Sequence, residues 1–576
     1  MVVFRSPSWV PGLPFEIPDS IPISDFILDP RYGRRNEQMS HPAFTCGVTG
    51  ETYTVNETRK RVECLAMGLS KTLGSHPNTG CQVDKVAVIY ASNSVDYIPL
   101  TWAIHRLSGI VSTASAAATA EELAYQLRDS GASVLFASCG LLETAVTAAE
   151  TVGLPLNRVL LVENDLDQVS AGLKMTQNKF LTTKCLMGVG ATMDQMDDLN
   201  WKKGEAREKI AFLCYSSGTS GLPKGVMISH YNVMANVLQL AVFERTQRTG
   251  ETEVCLGLLP QSHVYGLIVI CHAAVYRGDG VVVLPKYDFK QLLASIECYS
   301  ISVLFLVPTI LTQIAKSPSE VAKYNLSSVT TIMVGAAPSG REILETLSIV
   351  FPGSVIRQGY GLTEAATVVS STPRHDVWLG SSGSLLPGIE CKIIDDDGKE
   401  VGYDQSGELL VRSPSVALGY WNNARATAET FQGGWLRTGD VALFRRSPQG
   451  HDHVFIIDRL KELIKVKGMQ VAPSELEALL LSHPAVAEVA VIPLPDERSG
   501  EVPRAVVVKS SSSDVSNMDN HQLADELQQL VSKEKSRYKW LTGGVVFVTA
   551  LPKNGTGKLL RRVLRDRYRV KMATKL

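Results

Sequence analysis

The segment Tyr215-Ser216-Ser217-Gly218-Thr219-Ser220-Gly221-Leu222-Pro223-Lys224-Gly225-Val226 puts three glycines, four serine or threonine hydroxyls and one lysine into twelve positions. Glycines let a backbone come close to a ligand, N–H and hydroxyl groups donate to oxygens, and a lysine supplies a point charge, so the composition suits a polyphosphate. It is not a Walker A loop, which ends Gly-Lys-Ser/Thr; here Lys224 precedes Gly225 and no hydroxyl residue follows. Taken alone, it also reads as a glycine-rich surface turn. Ile210 to Cys214 leads in as a buried strand, and Met227 onward has helical spacing.

Other segments carry compatible chemistry. In Gln358-Gly359-Tyr360-Gly361-Leu362-Thr363-Glu364, two glycines open the backbone, Tyr360 offers a stacking face, Thr363 can donate to phosphate and Glu364 can ligate Mg²⁺. Gly335-Ala336-Ala337-Pro338 ends a strand with small side chains that leave room for a ligand. Asp440 can accept both hydroxyls of a ribose, and Arg459 can add a donor. Lys558, in Pro552-Lys553-Asn554-Gly555-Thr556-Gly557-Lys558, can bridge a carboxylate and a phosphate where negative charge builds up. Lys465-Val466-Lys467-Gly468-Met469-Gln470-Val471 reads by itself as a solvated basic strand. His263, on an apolar stretch with no metal spacing, reads by itself as a satisfied core residue.

In this order and spacing, from 215 to 558, the motifs resemble those of the adenylate-forming superfamily of acyl-CoA synthetases, 4-coumarate–CoA ligases, insect luciferases and peptide-synthetase adenylation domains. The resemblance spans nearly the whole chain and implies an ATP-dependent acid–CoA ligase using Mg²⁺ and coenzyme A. It implies that Ser216, Ser217, Gly218, Thr219, Ser220, Gly221 and Lys224 hold the β- and γ-phosphates. Gln358, Gly359, Tyr360 and Gly361 would hold the adenine face and the α-phosphate, and Gly335 and Ala336 would border the adenine and acyl pockets. Asp440 and Arg459 take the ribose, and Glu364 takes the metal. Lys461 is the hinge between a large and a small domain. Lys558 and Thr363 stabilise the phosphate charge, Lys465 and Gln470 act near the acyl-adenylate, and the Gly468 loop lies near the pantetheine. His263 and Tyr265 line the acyl pocket with Gly335, Gly361, Ala366, Thr367 and Val368. Arg437 stands where the family often has His, away from the reacting centre. Ala366 and Thr367 replace a Gly-Pro of plant 4-coumarate ligases, so cinnamate specificity does not carry over. Tyr265, Phe305, Leu306 and Val307 point to an apolar pocket for an aryl or medium-chain acid. A stand-alone enzyme loading a carrier protein, or a luciferase-like oxidation of the adenylate, would share the first step.

The elements that must position these residues alternate. Val86–Tyr90, Ser133–Phe136, Val254–Leu259, Val281–Leu284, Ser302–Val307, Thr330–Val334 and Val355–Gln358 read as strands, and Val95–Leu107, Gly266–Tyr276 and Phe289–Cys298 as helices. Such alternation implies an α/β protein: a large N-terminal domain, residues 1–460, of parallel-rich sheets flanked by helices. From Pro387, turn signals such as Asp395-Asp396-Asp397-Gly398 indicate a small, mostly antiparallel β subdomain. Residues 461–576, with a helix near Ser474 to Leu481, read as a small α+β domain; the resemblance implies that it is mobile and carries the catalytic lysine, Lys558. Residues 1 to about 45 are proline-rich and are expected to wrap the surface as an extended arm.

A chain of 576 residues exceeds one ordinary domain. With 45% apolar and 20% charged residues and a net charge of −1, nothing global steers it toward nucleic acid, and the C-terminal arginines read as a solvated helix face. Ten cysteines without a C-x-x-C pair argue against a zinc ribbon or a disulfide framework. No signal peptide or membrane span is expected, the apolar run Val264 to Tyr276 being too short. The terminal Thr574-Lys575-Leu576 is close to the Ser-Lys-Leu address of the peroxisomal import receptor, from which peroxisomal localisation is expected.

Overall fold

The computed structural model describes residues 2–162, 180–216, 222–248, 252–335, 347–467, 469–496, 498–510, 519–553 and 559–573. Ser217 to Gly221, Ala336, Gly468, Lys558 and Thr574 to Leu576 lie outside them. Among the described residues, two large sheets form the N-terminal domain. In the first, of nine strands, the parallel run Val355–Leu362, Thr331–Val334, Val303–Leu306, Val254–Gly257, Gly280–Val283 and Phe44–Cys46 is flanked by antiparallel edges. In the second, of seven, Val86–Tyr90, Ile110–Ala114, Val134–Ser138, Val159–Val162 and Ile210–Ser216 run parallel. The strand Val86–Tyr90 is buried along its whole length, which is why a continuous apolar run marks it. Helices Tyr97–Arg106 and His230–Arg245 contribute to the core that these sheets share. His230–Arg245 is buried on most sides, so its sequence lacks a one-sided stripe.

One expectation is corrected. The glycine-rich loop does not join a strand to a helix. Lys224–Ser229 is a strand paired antiparallel with Ile210–Ser216, with Ser216 opposite Lys224, so the loop turns a hairpin. The helix begins at His230, where Ser229 and Asn232 form a reciprocal cap. The run read as a helix over Gly266–Tyr276 is helical, as a π-helix over Tyr265–Ala273 followed by a short α-helical turn, Ala274–Arg277.

The N-terminal arm does wrap the domain, with more structure than an extended arm. Phe4–Arg5 pairs with Glu390–Ile394, and Phe4 stacks on Phe444 at 3.9 Å. Helix Ile23–Leu28 is almost entirely buried, and the Ile23 amide donates to His230 Nδ1 at 3.2 Å. The subdomain after Pro387 is antiparallel as expected, built on Glu390–Ile394, Gly407–Arg412, Trp435–Arg446 and Asp452–Arg459.

Three histidines, His105, His230 and His272, are fully buried in the core. Trp102 Nε1 donates to His272 Nε2 at 3.0 Å, which leaves Nδ1–H to donate to the Leu267 carbonyl at 2.6 Å and fixes the neutral tautomer. Burial lowers the pKa of His272 to about 4 and that of His105 to about 3, and holds His230 well below the ordinary value. Each folded pKa lies below its unfolded value, so the unfolded chain binds more protons. Stability is fully present above pH 6.5 and falls as pH drops toward the folded values. We expect a loss of about 1.4 kcal/mol per pH unit for each such histidine. Urea midpoints at pH 7 and pH 5.5 check this, and equal midpoints would contradict it.

Beyond Arg459 the chain forms a second unit around the strands Ile464–Val466, Met469–Val471, Val486–Asp496, Gly500–Lys509 and Val545–Phe547. Helix Asn520–Glu534 packs Leu523, Leu527 and Val531 onto one face of this sheet, and Leu564 and Tyr568 of helix Arg561–Ala573 cover the other. Arg561, expected on a solvated face, is largely buried: it bonds Glu477 Oε2 at 2.6 Å and also pairs with Glu462. Among the described residues, no helix is long and apolar enough to cross a membrane.

Candidate active site

A cavity of about 670 Å³ opens at the C-terminal ends of the parallel strands, between the two large sheets and the small domain. It has a polar part and a largely apolar part. The polar part is lined by Ser115, Thr119, Tyr215, Ser216, Thr363, Glu364, Arg459 and, from the small domain, Lys553 and Leu560. Lys553 and Leu560 flank the segment that contains Lys558, so this end of the small domain sits over the cavity. Lys553 Nζ is held by Glu488 Oε1 at 2.6 Å.

Glu364 sits at the end of the hairpin. Ser216 Oγ donates to its Oε1 at 3.3 Å, and the Tyr420 hydroxyl donates to the same oxygen at 2.9 Å. Lys224 Nζ lies 4.0 Å from the centroid of the Tyr420 ring, a cation–π contact that sets the lysine behind the carboxylate, off the cavity wall. Burial, then the nearby Glu364 charge, raises the Tyr420 phenol pKa, so the phenol stays protonated and donates. One half-buried carboxylate beside Ser216 fits Mg²⁺, which needs one or two carboxylates and takes its remaining ligands from phosphate and water. Among the described residues no group of three or more His, Cys, Asp or Glu forms a dedicated metal cage.

A second pair stands nearby. The buried Asp440 accepts from the Tyr360 hydroxyl at 2.6 Å and faces Arg459 Nε at 3.4 Å. Asp440 and Arg459 come together because they are register partners on adjacent antiparallel strands. Burial and then Asp440 hold the Tyr360 phenol pKa well above its usual range. Burial works against the Arg459 charge, but Asp440 and the neighbouring acids more than offset it and raise its pKa.

The apolar part is lined by His263, Tyr265, Val269, Phe305, Met333, Gly335, Gly359, Thr367 and Val368, with Gly361 and Tyr360 at its junction with the polar part. Tyr265 meets Phe305 edge to face at 6.0 Å. Two glycines are required by space. A Cβ on Gly335 would lie 2.7 Å from Tyr265 Cε1, and one on Gly361 would lie 1.8 Å from the Thr367 carbonyl oxygen.

The predicted residues that do not line the cavity are Lys224, Gln358, Ala366, Asp440, Lys461, Lys465 and Gln470, although Asp440 bonds Tyr360 and faces Arg459, which do. Gln358 lies between Arg357 and Gly359, both of which face the cavity, so strand alternation turns it to the other side. Ala366 is fully buried with φ 49° and packs in the core; only its neighbours Thr367 and Val368 reach the cavity. Lys465 and Gln470 are exposed register partners on a strand pair of the small domain, and Gln470 Nε2 reaches Asp396 Oδ2 at 3.4 Å; neither lines the cavity in this domain arrangement. Lys461 is also exposed, at the start of the small domain. Arg437 pairs with Glu408, within the β subdomain.

Sequence reasoning missed Tyr420, Lys553 and a set of buried ion pairs at the inner end of the cavity. Arg357, 2% exposed, makes two 2.8 Å bonds to Glu244. Arg248 makes paired 2.8 Å bonds to Asp279, which Arg277 also reaches at 2.9 Å, and Glu253 lies 2.6 Å from Arg248. The available signal was charged residues inside or beside apolar strands, such as Arg357 in Val355–Leu362.

Comparison with known proteins agrees with this geometry. Residues 33–421 match the AMP-binding enzyme family, and residues 475–558 match the AMP-binding enzyme C-terminal domain. An acyl-CoA ligase of Emericella nidulans is 38% identical over 98% of this chain and 100% of its own length. An acyl-CoA ligase of Alternaria alternata is 40% identical over 98% of this chain and 97% of its own. The fold superposes on an anthranilate CoA ligase solved with anthranoyl-AMP, with a TM-score of 0.80 and 24% identity, covering 96% of this chain and 99% of that one.

Proposed function

The chain belongs to the AMP-binding enzyme family, as an ATP-dependent acyl-CoA ligase working through an acyl-adenylate, and we propose that its acid is aryl or of medium chain length. The observation that carries the proposal is the single cavity that joins the Ser216–Glu364 carboxylate site to a pocket walled by Tyr265, Phe305 and Met333.

A carboxylate is a poor acyl donor because its charge repels nucleophiles and oxide does not leave. The residues here solve this in two displacements. The acid lies along the apolar wall with its carboxylate near Gly335 and Gly361, toward the polar part of the cavity. One carboxylate oxygen attacks the α-phosphorus of ATP, a new O–P bond forms, and the bond to the β-phosphate breaks to release pyrophosphate. Thr363 donates to the α-phosphate, and Lys558 balances the charge that builds between acid and phosphate. Asp440 and Arg459 orient the ribose. Mg²⁺, held by Glu364, would neutralise the departing phosphates. The CoA thiolate then attacks the acyl carbon, a C–S bond forms, and AMP leaves with the electron pair of the acyl–oxygen bond. The exposed positions of Lys465 and Gln470 fit a role only after the small domain turns about Lys461.

Pyrophosphate release across aryl and fatty acids, with and without CoA, tests this reading. We expect release with at least one class and conversion to the thioester when CoA is present. Silence with every acid would refute it.

A further inference from the structure

The inner end of the acyl pocket is ionic. Three parallel strands give the pocket its length, each turning alternate residues to the cavity: Val303 and Phe305, then Thr331, Met333 and Gly335, then Arg357, Gly359 and Gly361. Gly335 and Gly361 stand at the nucleotide end. Thr331, four residues back along the strand from Gly335, stands about 13 Å deeper. The wall between is apolar, with Leu240, Val269, Phe305 and Met333. Beyond it the lining changes to Glu244, Arg248, Glu253, Arg277 and Arg374.

Among the described residues the charges there do not cancel. Glu244 pairs with Arg357, and Asp279 and Glu253 pair with Arg248 and Arg277. That is three carboxylates against three guanidinium groups. Arg374 is the fourth cation, and among the described residues no carboxylate lies within ion-pair distance of it. Arg374 is half-buried, and among the described residues its side chain donates to Thr331 Oγ1 at 3.1 Å and to the Thr330 carbonyl at 3.4 Å. A hydrocarbon terminus lodged here would displace water from the Arg374 guanidinium and give it no acceptor in return.

Resting on the ligase reading above, we propose that the acid carries an oxygen-bearing group at the end remote from its reacting carboxyl, received by Arg374. The surplus positive charge makes a second carboxylate the best such group, and a hydroxyl or carbonyl oxygen the next. The apolar wall binds the body of the substrate, and the ionic floor selects its far end. Discrimination of this kind is large when a site built to hydrogen-bond a substrate oxygen meets an analogue that lacks it.

The test compares kcat/KM for pyrophosphate release with sebacic, ω-hydroxydecanoic and decanoic acids, and with para-hydroxycinnamic against cinnamic acid. We expect sebacic over decanoic acid by tenfold or more, with the hydroxy acid between. In Arg374→Met this ratio should fall toward one, mostly through KM, while decanoic acid stays within severalfold; Arg374→Lys should retain part of the preference. If only aryl acids react, the hydroxylated one should lead and lose its lead in Arg374→Met. Decanoic or cinnamic acid doing as well as its oxygenated partner would overturn the inference while leaving the ligase reading intact. So would an Arg374→Met variant that changes all acids alike. No release with any acid would overturn both.

Discussion

Replacing Lys558 by alanine is expected to lower acid-dependent ATP–pyrophosphate exchange by about a hundred- to a thousandfold. The effect is large because the acid and the α-phosphate are both anions, and only a cation placed between them relieves the repulsion as they meet. Lys553 and Leu560, which stand on either side of Lys558 in the sequence, line the cavity. The effect should be confined to the first displacement. With acyl-AMP supplied ready-made, transfer to CoA should stay within severalfold of the unaltered protein, because the attacking thiolate meets a carbonyl that is already activated. Exchange kinetics and single turnovers from acyl-AMP separate the two steps. Undiminished exchange in the variant would remove Lys558 from its role.

Replacing Arg357 by methionine is expected to destabilise the N-terminal domain by about 3–5 kcal/mol, because it leaves Glu244 buried and unpaired. Arg357 also donates through Nε to the Thr372 carbonyl at 2.6 Å, so it joins strand Val355–Leu362 to the residues after Thr367–Ser371. Burial works against the Glu244 charge, but Arg357 more than offsets it, and the net pKa is lowered. A lowered carboxyl pKa contributes stability above the unfolded value, 4.5, and loses it as pH falls through the folded value. The loss in Arg357→Met should therefore be greatest near neutrality. The double variant Arg357→Met with Glu244→Gln should recover part of it. Urea unfolding of the three proteins reads this, and a single variant as stable as the parent would contradict it.

Much of this was legible in the chain because the relevant signals are local. Continuous apolar runs marked the buried strands, and Val86–Tyr90 was read to the residue. Gly359, Tyr360, Thr363 and Glu364 lie within a few positions of one another, so one short segment announced a stretch of the cavity wall from its apolar to its polar part. The hairpin was missed because the run from Val226 to Ile228 suits a strand or a helix equally, and only the cap at Ser229 decides. The ionic floor was illegible for a different reason. Glu244 and Arg357 are 113 residues apart, and their pairing follows from how helix and strand pack, which no short-range pattern encodes. Ala366 and Gln358 show the same limit at finer scale. They sit inside segments that reach the cavity, yet a left-handed residue and the strand alternation turn them away.

The most direct measurement follows the fate of ATP in one turnover. Protein is mixed with an acid it activates and ATP labelled at the α-phosphate, first without CoA and then with it. The account predicts an enzyme-bound acyl-AMP and one pyrophosphate per site before CoA is added, then free AMP and acyl-CoA in equal amounts. Label appearing as ADP, or acyl-CoA formed with no adenylate before it, would contradict the account.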